Sequence, residues 1–555
     1  MKKILAVMPA LLVLLCLVMM ITAAGCQRRE GGYSGPVCLG LTTDGPNPWW
    51  VKFEEPVTIR IVNQERPATP FLPGDDVTRN EWTRGFKEHL NVEIVTDWVS
   101  SSAGYTERLN LAIASKALPD VFLVNPTQFR QLVEAGMVAD LTDFIENNAS
   151  EMVKKIMAAA PTVTETAMFN GRLMGIPSYG YGDLWNVYNL WIRRDWMVRS
   201  GLGEPKSFDD LEKIMDAFMQ ANPGSYGMGL RNNLDEFFWM ASAFGALPNI
   251  WIEGPDGSLV FGSIQPEMKD ALGKFADWYR RGYLRRDFTS TDDRDIINDI
   301  ASGKLGMHVW ANWAGWLYVD TVKALGMHAY MEPYQIPSAT GRPHIVPLAL
   351  DNHTYIVVNK NFRNIPAVLK CISFHSLVTT EATLQGVFTQ EEVDRYLLGG
   401  EGRHDLTSLA LNDPYGNGPA LVEWARNVYL NNYQITEEPM TSEWLAHYEQ
   451  AALWFRDNRI DGYGRWIQQY APRSSAWANL QVINEGRYYA DRLTGALPGD
   501  VAVFVSVLSS ILIEGFTKII VGEQPISYFD TIVTEWHRSG GDTVTRAVNR
   551  EFGKK

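Results

Sequence analysis

The chain has 555 residues, with 50 Lys and Arg against 64 Asp and Glu, for a formal net charge of −14. At 46% apolar and 21% charged residues it has the composition of a folded globular protein, and its length predicts at least two domains. The acidic balance argues against a nucleic-acid binder, and the longest apolar run beyond the N-terminus, 501–513, is too short to span a bilayer.

The N-terminus sets the compartment. Lys2 and Lys3 precede a nearly continuous apolar stretch, 4–20, and the small residues Ala23, Ala24 and Gly25 lead directly to Cys26. This layout resembles a bacterial lipobox, with Ala23 where leucine is usual. It predicts a signal peptide over 1–25 and acylation of Cys26. Two acyl chains anchor a protein stably where one is marginal. A transmembrane anchor made by 4–25 is the alternative, and it also leaves the folded part outside the cytoplasmic membrane. Residues 26–55 are polar and rich in Gly and Pro, as suits a flexible tether. The four cysteines, Cys16, Cys26, Cys38 and Cys371, form no CxxC pair, so a zinc site or thioredoxin motif is unavailable. A Cys38–Cys371 bridge stays open beside the reading as two unrelated thiols.

Beyond the tether, alternating β-branched residues predict a strand over 56–62, and 92–95 predicts a second after a helix over 82–90. Tyr105, Leu109, Ala112 and Ile113 share one face of a helix over 105–115. A strand over 121–124 follows, then a short helix over 128–135 closed by Gly136. Strands alternating with helices predict βαβ units and a largely parallel sheet. The pattern restarts with a strand over 188–193 and a helical turn stopped by Gly201. Ser207 then caps a helix whose buried stripe is Phe208, Leu211, Ile214, Met215 and Phe218. Residues 259–261 read as a hairpin return and 266–279 as a helix; 355–358 is a further strand, and 365–390 and most of 418–550 read as helical.

At several points in order the chain resembles the bacterial extracellular solute-binding proteins, specifically the long lipoproteins of carbohydrate ABC importers. Leu118-Pro119-Asp120-Val121 and the preceding helix match one segment, and Gly136 to Leu141 matches a "G-x-x-x-D-L" segment. Gly171-Arg172-Leu173-Met174-Gly175-Ile176-Pro177 resembles a "G-K-x-Y-G-I-P" crossover. Arg193-Arg194-Asp195-Trp196 with Gly201-Leu202 and Pro205, Trp278 to Leu284, and Ser302-Gly303-Lys304-Leu305-Gly306-Met307 also match. Lys116 and Ala117 depart from the usual Gly-Asp, which removes a helix-ending glycine. The resemblance implies an α/β fold of two lobes (the type II periplasmic-binding-protein fold) with hinge crossovers and extra C-terminal helices. It implies an N-terminal lobe of 56–177 plus 344–390, and a C-terminal lobe of 178–343 plus 391–555 with a helical extension.

A sugar offers hydroxyls and apolar C–H faces, so its site needs aromatic platforms and a few hydrogen-bonding groups. The 19 Trp are clustered. Tyr179, Tyr181 and Trp185 interleave with glycines after the crossover, where they serve either a site or loop packing. Trp310, Asn312 and Trp313 form a second candidate, with Trp316 at the same three-residue spacing; a core stripe is the alternative. Asn232, Asp235 and Trp239 form a third. In the other lobe, Gln64, Glu65, Asn125 and Gln128 follow strands whose carboxyl ends are where ligands sit. Asp351 precedes a later strand. The Asp292 to Asp295 charge run lacks EF-hand spacing and reads as a solvated helix start, so no metal site is expected.

These readings lead to capture of a carbohydrate, an oligosaccharide above all, by hinge closure and delivery to ABC permease subunits. The protein is expected to be monomeric, lipid-anchored on the outer face of the membrane, and without catalytic residues, cofactor or nucleic-acid partner. The alternatives are an exported glycoside hydrolase, which needs two carboxyls about 5–9.5 Å apart, and a binding protein for peptides or another solute.

Overall fold

In a computed structural model, the protein is described over residues 51–553 apart from 66–70, 180–182, 351–353, 381–387, 398–406, 412–417, 438 and 440. The lipobox Cys26, the tether and Cys38 lie outside the described residues, as do Tyr181 and Asp351.

The first lobe is built on a sheet that starts with β1 (Val57–Gln64). β2 (Val92–Ser100), α1 (Ser102–Ser115), β3 (Val121–Val124) and α2 (Pro126–Glu134) follow in order. β1 pairs in parallel with both β2 and β3, as crossover connections require. β4 (Ile176–Pro177) ends the first passage through this lobe. The return strand, Tyr355–Val358, runs antiparallel between β3 and β4, because it enters from the other lobe rather than through a crossover helix.

The chain passes to the second lobe through β5 (Tyr188–Arg193), followed by α3 (Phe208–Ala221), α4 (Asp235–Ala241) and α5 (Met268–Arg281). β6 (Met307–Ala311) and β7 (Met331–Tyr334) flank β5, both antiparallel to it. The restarted alternation therefore does not give a second parallel sheet. β5 leads into the lobe from the crossing, while β6 and β7 run the opposite way on either side of it.

β8 (Val346–Leu348) leads back toward the first sheet, where Tyr355–Val358 is β9. α6 (Ile365–Thr380) is apolar on nearly every side and buried, as such a helix must be. It carries the buried Cys371 and packs in the first core with Val121, Phe122 and Val357. Tyr396, Leu409 and Leu411 join the same core. Farther on, α7 (Ser475–Asn484) lies against the second lobe, with Asn479 accepting from Asn189 Nδ2 and donating to the Leu184 and Val187 carbonyls. β10 (Tyr488–Ala490) pairs with β8.

α8 (Gly499–Ile520) has 22 residues with a mean hydropathy of 1.8, long and apolar enough to cross a membrane by length and composition alone. Leu508, Leu512, Phe516 and Ile519 are buried in the second core against Phe237, while Val503, Val505 and Val507 are exposed. α9 (Asp542–Phe552) closes the chain, and Glu551 on it pairs with Arg130 of α2, tying the terminal helices to the first lobe.

Candidate functional site

The carboxyl ends of β1 and β3 open on a cavity of about 330 Å³. Gln64, Asn125 and Gln128 line it, as the strand-end argument expects, together with Asn63, Ser178 and Ser408. Asn125 caps α2. Its side-chain oxygen accepts from Gln128 N at 2.9 Å, and Gln128 Oε1 accepts from Asn125 N at 3.2 Å. The cap occupies the Asn125 oxygen, so Nδ2 is the group able to donate to a ligand hydroxyl. Gln128 is further fixed by donation from Nε2 to Asn110 Oδ1 at 2.8 Å. Glu65 is exposed and lies off the lining.

A second cavity, of about 200 Å³, lies in the other lobe. Its floor is aromatic: Trp239 of α4 stacks on Tyr188 of β5, with ring centroids 4.4 Å apart and an interplanar angle of 9°. Asn186, Asn249, Pro347 and Leu350 complete the surface. The two cavities flank the same crossovers. Leu350 lines one and Thr354 the other, and four residues of chain span at most about 14 Å. Asn186 and Ser178 repeat the relation on the outward crossing.

Beneath the aromatic floor runs a buried polar network. Arg231 bonds Asp235, Glu236 and Asp293 at 2.7, 2.6 and 2.6 Å, and its guanidinium lies 4.3 Å from the Trp310 ring centroid. His308 Nε2 lies 2.8 Å from Glu236 Oε1, and Tyr318 OH lies 3.1 Å from His308 Nδ1. Burial drives His308 below its ordinary pKa, against the pull of the Glu236 carboxylate. Burial alone would raise Glu236, but hydrogen bonds and charge from His308 and Arg231 hold it below the usual carboxylate value. Tyr188 OH donates to Asp235 Oδ2 at 3.0 Å, so the network ends on the ring beneath Trp239.

This geometry revises several sequence expectations. Tyr179 is fully buried in the first core with its OH 2.7 Å from Thr164 Oγ1, which takes it away from the cavity surface. Trp310 is buried in strand β6 beneath Arg231, so it is a core ring here. The Trp residues at 313 and 316 lie on a 3-10 turn rather than on one helix with Trp310. Trp313 is 41% exposed, and Asn312 is fully buried with neither side-chain polar atom hydrogen-bonded. Trp185 is half-buried and packs against the Leu184 and Leu480 cluster. Asn232 is exposed, and the Asp235 oxygen facing Tyr188 is already shared with Arg231. Among the described residues of the three aromatic candidates, Trp239 lines a cavity. Tyr188 is a platform residue that strand periodicity hid, and Ser408 comes from a segment with no local signal. Among the described residues no group of three or more His, Cys, Asp or Glu is arranged to hold a metal ion; Asp292 and Asp295 instead form a helix capping box.

Two α/β lobes, crossed repeatedly by the chain and bearing uncharged polar and aromatic cavities beside the crossings, define a two-lobe binding protein. The chain belongs to the bacterial extracellular solute-binding protein family, whose model matches residues 75–374, more than half of the sequence. It is 25% identical over 252 residues to lipoprotein LipO of Bacillus subtilis (strain 168), covering 43% of this chain and 48% of that one. It is 22% identical over 275 residues to the fructooligosaccharide ABC transporter substrate-binding protein FusA of Streptococcus pneumoniae serotype 4, covering 46% and 50%. The chain thus spans about half the length of the curated relatives it matches. The crystal structure of alginate-binding protein AlgQ2 without calcium ion superposes with a TM-score of 0.61 at 14% identity over 90% of this chain and 98% of that one. That likeness concerns the fold.

Proposed function

We propose that this protein is the substrate-binding component of an ABC importer, anchored through Cys26 on the outer face of the cytoplasmic membrane. It captures an oligosaccharide between its lobes and hands it unchanged to membrane permeases. The observation that carries this reading is the pairing of two unlike cavities across the crossovers. One presents amides and hydroxyls at strand ends, the other a stacked aromatic pair. Those are the two kinds of surface a sugar chain needs. The relatives named above as lipoprotein and as fructooligosaccharide-binding support it. Hydrolysis would need a pair of carboxyls across the bond, and among the described residues neither cavity lining contains one.

In this reading the first lobe comprises the chain up to about 177 and the return from about 354. The packing of Tyr396, Leu409 and Leu411 supports carrying that lobe on to about 411 rather than ending it at 390. The protein acts as a monomer. Calorimetric titration of the mature chain with oligosaccharides tests the site. Trp239→Ala removes one ring face, about 100 Å² of apolar contact worth about 2 kcal/mol, and is expected to weaken binding about 30-fold. Undiminished affinity in that variant would remove the aromatic cavity from the site.

A further inference from the structure

The two cavities share a property that narrows the ligand. Among the described residues, neither lining contains a charged side chain. The polar groups of the first are amides and hydroxyls, among them Asn63, Gln64, Asn125, Gln128 and Ser408. Those of the second are Asn186, Asn249 and the Tyr188 hydroxyl.

Arg231, which connects to the second cavity through Asp235 and Tyr188, is not available to an anion. Three carboxylates hold its nitrogens and Trp310 covers its face.

A glycan bearing carboxylates would have to shed the water around each one as the lobes close. The penalty is several kcal/mol per ion unless a cation replaces that water. The net charge of −14 adds a long-range repulsion against any polyanion. Hydroxyls, by contrast, are matched by the amide and hydroxyl groups present, and C–H faces by the Tyr188–Trp239 stack. From this we infer that the ligand is an uncharged oligosaccharide, recognised through hydroxyls and ring faces, and not a uronate-, sulfate- or phosphate-bearing one. This rests on the capture reading and specifies its substrate class.

The test titrates the full mature chain, by calorimetry, with fructo-, malto-, xylo- and galacto-oligosaccharides. In parallel it uses alginate oligomers, oligogalacturonate and the carboxyl-reduced form of the same oligogalacturonate. The expected result is binding of at least one neutral glycan, with affinity changing less than about twofold between about 0.05 M and about 0.5 M salt. Both uronates are expected to bind at least about tenfold more weakly than that glycan. A uronate that binds within about tenfold of the best neutral glycan overturns the inference while leaving capture of a sugar intact. Binding by neither class overturns the inference together with the capture reading beneath it.

Discussion

At the scale of single residues, Arg231 of the second lobe is held by three carboxylates, those of Asp235, Glu236 and Asp293. It is 6% exposed and holds the fully buried Glu236. Arg231→Ala leaves that carboxylate without its counter-charge, and breaking such a buried pair costs about 3–5 kcal/mol. Denaturant unfolding is expected to show a loss of that size, with Arg231→Lys intermediate because a lysine keeps the charge but not the fork. A loss below about 1 kcal/mol would contradict the network. Lys116 makes the opposite prediction. It ends α1 at φ 57°, in the left-handed region, and is exposed. Lys116→Gly is expected to raise stability by about 0.5–1 kcal/mol, read as a higher melting temperature. The sequence marked that departure because helix ends follow local rules. It could not mark Arg231, because one partner, Asp293, lies 62 positions away and charge pairing leaves no periodic trace. Sequence left Tyr179 open between site and packing for a related reason: aromatics among glycines suit either, and only the fold sets its phenol 2.7 Å from the Thr164 hydroxyl in the core.

At the scale of elements, strand and helix periodicities were largely legible. The stretches 121–124, 188–193 and 355–358 form strands with those bounds. Strand direction was not legible in the second lobe, because it depends on where the chain crosses and not on residue alternation. The segment joining β7 to β8 carries a pH-sensitive clamp. His344 Nε2 lies 2.6 Å from Ser242 Oγ, and Nδ1 faces the Ile336 carbonyl at 3.1 Å. Burial pushes this imidazole down to about 4. Because the folded value lies below the ordinary 6.5, protonation favours the unfolded chain. The contribution is fully present above about pH 6.5 and is lost as pH falls through about 4, for a total of about 3 kcal/mol. Unfolding curves across that window are expected to be flatter for His344→Gln than for the parent chain. Parallel curves would show that His344 does not titrate with unfolding.

At the scale of the whole molecule, the proposed capture depends on two lobes meeting across short crossovers. A lining residue of one cavity lies four positions along the chain from a lining residue of the other, so in the proposed capture a small rotation at the crossings would bring amides and aromatic rings onto one sugar chain. A ligand that touches both lobes favours the closed arrangement by its extra contacts there. The bipartite plan was legible through the ordered family segments. The location of the second cavity was not, since Tyr188, Asn249 and Leu350 come together only through the fold. The most direct test of non-catalytic capture is small-angle X-ray scattering of the mature chain with and without a bound neutral oligosaccharide, followed by analysis of the recovered glycan. The account predicts a smaller radius of gyration in the complex and a glycan of unchanged length. An unchanged radius with a shortened glycan would contradict it.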